Sequence, residues 1–456
     1  MTRNDHEDHV RTAMGAEHVF HRTTEARPPV AVRGEGIYLI DEHGRRYIDA
    51  CGGAAVSCLG HGHPAIVAAM SEQAARLEYV HTGFFTSDAA EELAAMVAEM
   101  SPGTLDRVWY TSSGSEAIEA ALKLARQYHL ERGETGRRHV IARQLSYHGN
   151  TLGALAAGGS AWRRAPYEPL LIDVGLVDPC FEYRFAEPGE SPESYGERAA
   201  DALEREILRL GPETVIAFVA ETVVGATSGA VPPVPGYLRR VREICDSHGI
   251  LMILDEVMCG SGRTGTFLSC EQDQVVPDIV TLGKGLGAGY QPIGAVVCTS
   301  EVYEAVARGS AALKHGQTYN AHPVGCAAAL AVQRVVREEA LLGRVEQAGA
   351  RLMSLLAERF GDHPHVGDIR GRGLLQAIEL VADRATKAPF EPALALHQSA
   401  KSNAFNRGLL IYPGGGTIDG RRGDHILLAP PYNVTNLELE MIVDLLADTL
   451  AAVLPS

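Results

Sequence analysis

Several kinds of signal are missing from this chain, and each absence narrows what it can be. Its eight cysteines, Cys51, Cys58, Cys180, Cys245, Cys259, Cys270, Cys298 and Cys326, stand without paired spacing, and no CxxC occurs. That argues against a disulfide framework or a zinc site and for reduced thiols in a core, so no metal is expected. No apolar run approaches the roughly 20 residues that a membrane-spanning helix needs. Residues 1–17 are polar and rich in histidine, with no apolar signal core, and the expected compartment is the cytoplasm. Basic residues are in the minority: 41 Lys and Arg stand against 57 Asp and Glu, a net charge of −16. Nucleic acids and anionic membranes reward clustered Lys and Arg, so neither is expected as a partner, and a small molecule is. No internal repeat is visible.

What is present fits a large globular chain. At 456 residues, 46% hydrophobic and 21% charged, the sequence exceeds what one core holds and is expected to form two domains. Residues 36–41 and 46–49 read as two strands joined by a turn at His43 and Gly44. From Ser87 to Cys298 helices and strands alternate, the pattern of a mainly parallel sheet covered on both faces. Residues 316–337 begin a return, 341–360 form a long amphipathic helix, and 373–380 and 425–428 supply later strands. The expected fold class is therefore α/β. A large domain over 70–325 is flanked by the two pieces, 1–69 and 326–456, of a discontinuous small α+β domain. Residues 181–195, rich in Glu, Pro and Ser, read as a surface excursion, and 414–423 as a glycine-rich loop.

The chemistry concentrates at two strand ends. Residues 250–254 read as a short buried strand that delivers Asp255 at its carboxyl end, where open α/β sheets place ligands. Residues 279–282 read as another, and Lys284 follows between Gly283, Gly285 and Gly287, which let the backbone bend tightly. Taken singly, a lysine after a strand is usually solvated and an aspartate at a strand end usually a helix cap. Together they suit pyridoxal phosphate. That cofactor needs a desolvated lysine to hold its aldehyde as a Schiff base, and a buried carboxylate to keep its ring nitrogen protonated. A third element agrees: 108–110 as strand, 111–115 as turn and 116–130 as helix. There Gly114 admits a close approach, and Ser115 and the helix dipole favour a phosphate.

The strings TSSGSEA from Thr111, SYHG from Ser146, AET from Ala220, LDEVMCGSGRTG from Leu254, TLGKGLGAGYQPIGAV from Thr281 and HGQTYNAHPVGCAAALA from His315 occur in the order seen in class III aminotransferases. The chain resembles this family, pyridoxal phosphate enzymes of fold type I, from about Val32 to its C-terminal segment. The resemblance implies that Lys284 is the imine lysine and proton shuttle and Asp255 the partner of the pyridine nitrogen. It implies further that Ser113, Gly114 and Ser115 form the phosphate loop, that Tyr147 stacks on the ring, and that Val257 covers its other face. Glu221 matches the acidic residue near the ring hydroxyl. Thr318 matches a threonine reaching the phosphate of the neighbouring subunit, which implies a homodimer with shared active sites.

Substrate choice is less legible. Relatives acting on 4-aminobutyrate or ornithine place a carboxylate-binding arginine where this chain has Leu427. In ω-amine and ω-amino-acid relatives that prefer pyruvate, an arginine sits on the preceding loop, where Arg421 or Arg422 stands here. The small residues Gly52, Gly53, Ala54 and Ala55 would leave room for a larger donor, and Phe84 and Phe85 would line the entrance or the dimer core. The resemblance implies a transaminase moving an amino group from an amine or ω-amino acid to a keto acid, pyruvate before 2-oxoglutarate. An aminomutase, a racemase or a decarboxylating transaminase on the same scaffold is the alternative.

Overall fold

The computed structural model describes residues 18–24 and 27–455; the polar arm 1–17 lies outside them. Its centre is a seven-stranded sheet ordered Leu105–Thr111, Gly294–Thr299, Ile279–Leu282, Leu251–Asp255, Val215–Glu221, His139–Arg143, Gly175–Val177. Gly294–Thr299 is antiparallel to both of its neighbours, and the other pairings are parallel. Val215–Glu221, Leu251–Asp255 and Ile279–Leu282 are buried along their whole length, as strands covered on both faces must be. That is why they read as short continuous apolar runs. Each Val, Leu or Ile so buried contributes about 1.5–3 kcal/mol.

Register decides what these strands deliver. Glu221 pairs with Asp255, and Asp255 with Thr281, so three polar side chains stand level at one edge of an otherwise apolar sheet. The strand Leu105–Thr111 leads at the same edge into the helix Gly114–Glu131. The helix starts two residues before its expected position because Ser113 caps it, accepting from the Glu116 N–H at 3.2 Å.

The remainder is built from both ends of the chain. Ala31–Glu35, Tyr38–Asp41 and Arg46–Asp49 form an antiparallel sheet that Leu409–Leu410 joins in parallel. A second antiparallel sheet runs Val366–Arg372, Leu375–Leu380, Asp424–Leu428, Tyr412–Gly415, with helices Leu341–Phe360 and Asn436–Val453 sharing its core. The helix Pro323–Glu338 runs across residue 325. Cys326 and Ala329 enter the core of the large sheet, while Ala328 and Val332 enter the other core, so this helix fastens the two together.

Two expectations need correction. Residues 181–195 are not wholly a surface excursion: Phe181 and Tyr195 are 2% and 1% exposed, and the Tyr195 hydroxyl accepts from the Phe181 N–H at 2.7 Å. The glycines of 414–423 likewise begin inside the strand Tyr412–Gly415, paired with His425 and Asp424. The missing side chains make way there for the rings of His425 and His397. All eight cysteines are free and buried.

Candidate active site

Asp255 and Glu221 emerge at adjacent strand ends, 5% and 4% exposed. Burying a carboxylate is costly unless its oxygens are satisfied, and here they are. Asp255 Oδ1 accepts from the Val257 N–H at 3.0 Å and from the Thr281 hydroxyl at 3.3 Å, and Oδ2 lies 2.8 Å from His148 Nδ1. A carboxylate only accepts, so with Asp255 in that form the proton lies on Nδ1. Glu221 takes the Tyr147 N–H at 3.0 Å and the Gly225 N–H at 2.9 Å. Burial still pushes its carboxyl up, with Asp255 adding to the effect and His148 opposing it.

Lys284 follows the next strand over. Its φ of +40° lies in the left-handed region that a side chain rarely adopts, held by a tight turn in which the Leu286 N–H reaches the Gly283 carbonyl at 2.8 Å. Burial pulls the lysine amine below its ordinary value, and the charges of Asp255 and Glu221 act against that pull. A neutral amine is the nucleophilic and basic form.

The start of the helix Gly114–Glu131 faces these groups across a cavity of about 160 Å3. Lys284, Asp255, Glu221, Tyr147, Val257 and residues 113–115 line it. A Cβ on Gly114 would come within 2.7 Å of Val257 Cγ1, so only glycine keeps that wall in place. The Ser115 hydroxyl accepts from the Asn150 N–H at 3.1 Å. Orphan N–H groups of a first helical turn and the dipole behind them favour an anion. A carboxylate floor, a desolvated lysine and an anion-binding helix start around one space are what a phosphorylated pyridine aldehyde requires, and the residues present fit that group.

The family model for class III aminotransferases matches residues 20–450. The chain belongs to the class III aminotransferases. An uncharacterized aminotransferase of Schizosaccharomyces pombe is 46% identical over 436 residues, covering 95% of each chain. Among solved structures, the (S)-enantioselective omega-transaminase from Thermomicrobium roseum superposes with a TM-score of 0.90 at 35% identity, over 100% of both chains. The omega transaminase from Pseudomonas jessenii in complex with PMP does so at 0.89 and 34%, over 96% of this chain and 97% of that one. This class III aminotransferase is thus a transaminase of fold type I, from a family whose transamination depends on pyridoxal phosphate.

Other expected residues lie elsewhere in this aminotransferase. Ala55 is buried beside Met258 and Leu427 in an apolar cluster, and Met258 also lines the Lys284 cavity. Thr318 is exposed, its carbonyl accepting from the Tyr79 hydroxyl at 3.1 Å, and does not line that cavity in its own chain. Phe84 and Phe85 are 81% and 69% exposed. Arg421 and Arg422 sit on an exposed loop outside the cavity, Arg422 paired with Asp419 at 2.7 Å. Sequence reasoning assigned no role to His148, which is 3% exposed. Its place directly after Tyr147 was the available signal.

Proposed function

We propose that this aminotransferase binds pyridoxal phosphate through these residues and moves an amino group from an amine or ω-amino acid to a keto acid, with pyruvate as acceptor. The observation that carries the reading is the Glu221, Asp255, Thr281 register, which sets Asp255 and Lys284 around one cavity with a helix start. Bound there, the cofactor would supply an electron sink for the pair released at the substrate Cα. Asp255 would hold the proton on the pyridine nitrogen, and His148 would fix the orientation of that carboxylate. Residues 113–115 would hold the phosphate, and Tyr147, Val257 and Glu221, which line the same cavity, would hold the ring. Lys284 would hold the aldehyde carbon, and its free amine would be the group that carries the proton at the substrate Cα.

The acceptor assignment rests on Leu427, fully buried among Ala55, Met258 and Ala377. A second carboxylate set against that wall would be desolvated without a partner, which costs several kcal/mol. Arg421, without an ion pair among the described residues, is a better holder for the pyruvate carboxylate than Arg422, which Asp419 already engages. We further propose a homodimer in which Thr318 and the exposed Phe84 and Phe85 meet the partner subunit. The compartment is the cytoplasm, whose reducing poise suits eight free thiols. A screen of donors and acceptors, following the absorbance of the bound cofactor, tests the reading. Pyruvate should exceed 2-oxoglutarate in kcat/KM by about tenfold or more. Equal use of 2-oxoglutarate would overturn the acceptor assignment, and turnover of one amine without any keto acid would replace transamination by a mutase or racemase.

A further inference from the structure

Between Asp255 and Val257, which line the Lys284 cavity, stands a residue that does not. Glu256 is fully buried and has no ion pair among the described residues. A buried carboxylate is costly unless its oxygens are satisfied, and here its roughly four acceptor positions are all filled. Oε1 accepts from the Thr222 hydroxyl at 2.6 Å and the Cys270 N–H at 2.9 Å. Oε2 accepts from the Ser269 N–H at 2.9 Å and the Cys259 thiol at 3.3 Å. Burial pushes this carboxyl up, and the four donors act against that push. The two backbone donors fasten the segment 269–270. The shortest contact goes the other way, to the residue directly after Glu221.

The sheet needs a fastening at that point. The ladder between Val215–Glu221 and Leu251–Asp255 ends on the pair Glu221 and Asp255, and strand ends open locally where a ladder stops. Past that pair the Thr222 N–H reaches the Asp255 carbonyl at 3.4 Å, a long contact, while the Glu256 N–H reaches the Thr281 carbonyl at 3.0 Å. Glu256 thus joins all three strands that carry the site. Its side chain holds the strand of Glu221, its N–H holds the strand that leads to Lys284, and its own chain carries Asp255. The Gly225 N–H that holds the Glu221 carboxylate at 2.9 Å belongs to the turn that Thr222 begins, so slack at Thr222 loosens that carboxylate and its partner together. We propose that Glu256 and Thr222 are a positioning pair for the reaction, a clasp outside the cavity that keeps Glu221 level with Asp255 around the bound cofactor. The inference rests on the reading of Glu221, Asp255 and Lys284 as cofactor residues, and adds two that do not line their cavity.

The test separates the two halves of the clasp. Thr222→Val keeps nearly the same shape and removes only the donor, leaving Glu256 bonded to 269–270, whereas Thr222→Ser keeps the donor. In the cofactor-free protein, Thr222→Val should raise amide hydrogen exchange over 221–225 by about tenfold, the effect of one lost hydrogen bond to a charged group. In the holoenzyme it should weaken cofactor binding and lower kcat, each by about tenfold, and displace the absorbance of the bound cofactor. Thr222→Ser should keep all four quantities near the wild type. Glu256→Gln turns an amide NH2 toward a backbone N–H at either oxygen, so it should show the same displaced absorbance together with a lower denaturant midpoint. Wild-type cofactor affinity and absorbance in Thr222→Val, with Glu221→Gln changing both, would overturn the proposal. Glu256 would then be a clamp for 269–270 alone, and the reading of the site would stand. If Glu221→Gln and Asp255→Asn also left affinity and absorbance unchanged, the reading of the site would fall. The exchange measurement would still decide the clasp, and unchanged exchange over 221–225 would remove it.

Discussion

His148 Nδ1 lies 2.8 Å from Asp255 Oδ2, and neither side chain is more than 5% exposed. With the Val257 N–H and the Thr281 hydroxyl on the other oxygen, three donors occupy a carboxylate that offers about four acceptor positions. One position is left for a protonated ring nitrogen. Asp255→Asn keeps the shape but removes the charge, so it should leave a folded protein with weaker cofactor binding and a rate lower by about 100-fold or more. Cofactor titration and kcat measure both effects, and unchanged kinetics would reduce Asp255 to a structural cap.

The contact His148 makes is with Asp255, and its proposed role is to hold that carboxylate. His148→Phe should therefore cost less than Asp255→Asn, about tenfold in rate, and should shift the absorbance of the bound cofactor as the neighbouring carboxylate reorients. The double variant should resemble Asp255→Asn alone, because removing a supporter adds little once the supported group is gone. Additive losses would place His148 outside this chain of contacts.

Lys284 is the proposed anchor and proton carrier, and among the described residues no second amine lines the cavity. Lys284→Ala should lower multiple turnover by about 1,000-fold or more while the protein remains folded. Turnover near the wild-type rate would refute the assignment.

The same lysine gives a stability signature. Burial pulls its amine below the ordinary 10.5, so between that lowered value and 10.5 the unfolded chain holds a proton that the folded chain does not. Stability of the cofactor-free protein then rises with pH through this window. Lys284→Met has no such proton: it should be more stable than the wild type at neutral pH, and its advantage should shrink as the pH approaches 10.5. Denaturant midpoints of the two cofactor-free proteins across that range check the sign. A gap that widens with pH would mean that the ion pairs with Asp255 and Glu221 outweigh desolvation.

The parts of this site that a sequence can announce are those fixed by local rules. A buried parallel strand is a short apolar run with a polar residue where it leaves the core, which located Asp255 to within one residue of the observed strand Leu251–Asp255. The glycines around Lys284 marked a tight turn. Register across strands is not local: nothing in the order of residues says that Glu221 and Thr281 stand level with Asp255. His148 was illegible for a related reason, since its partner is 107 positions away. Phe181 and Tyr195 were misread because Glu and Pro between them dominate the composition while the two aromatics turn inward.

Thr318 separates a shared site from a self-contained one. In its own chain it is exposed and apart from the Lys284 cavity, so a role at the phosphate requires a partner subunit. Thr318→Ala alone should weaken cofactor binding in every site, by about tenfold for a lost hydrogen bond to a charged group. Co-expression with Lys284→Ala subunits gives the decisive case. In the mixed dimer one site combines an intact Lys284 from one chain with an intact Thr318 from the other, and it should bind cofactor like the wild type, giving about half its activity per dimer. If Thr318 served only its own chain, the intact Lys284 would remain beside Ala at 318 in that subunit, and wild-type affinity would not return. Purifying the mixed dimer through two different affinity tags and titrating the cofactor distinguishes these outcomes, and absence of recovery would remove the shared-site assignment.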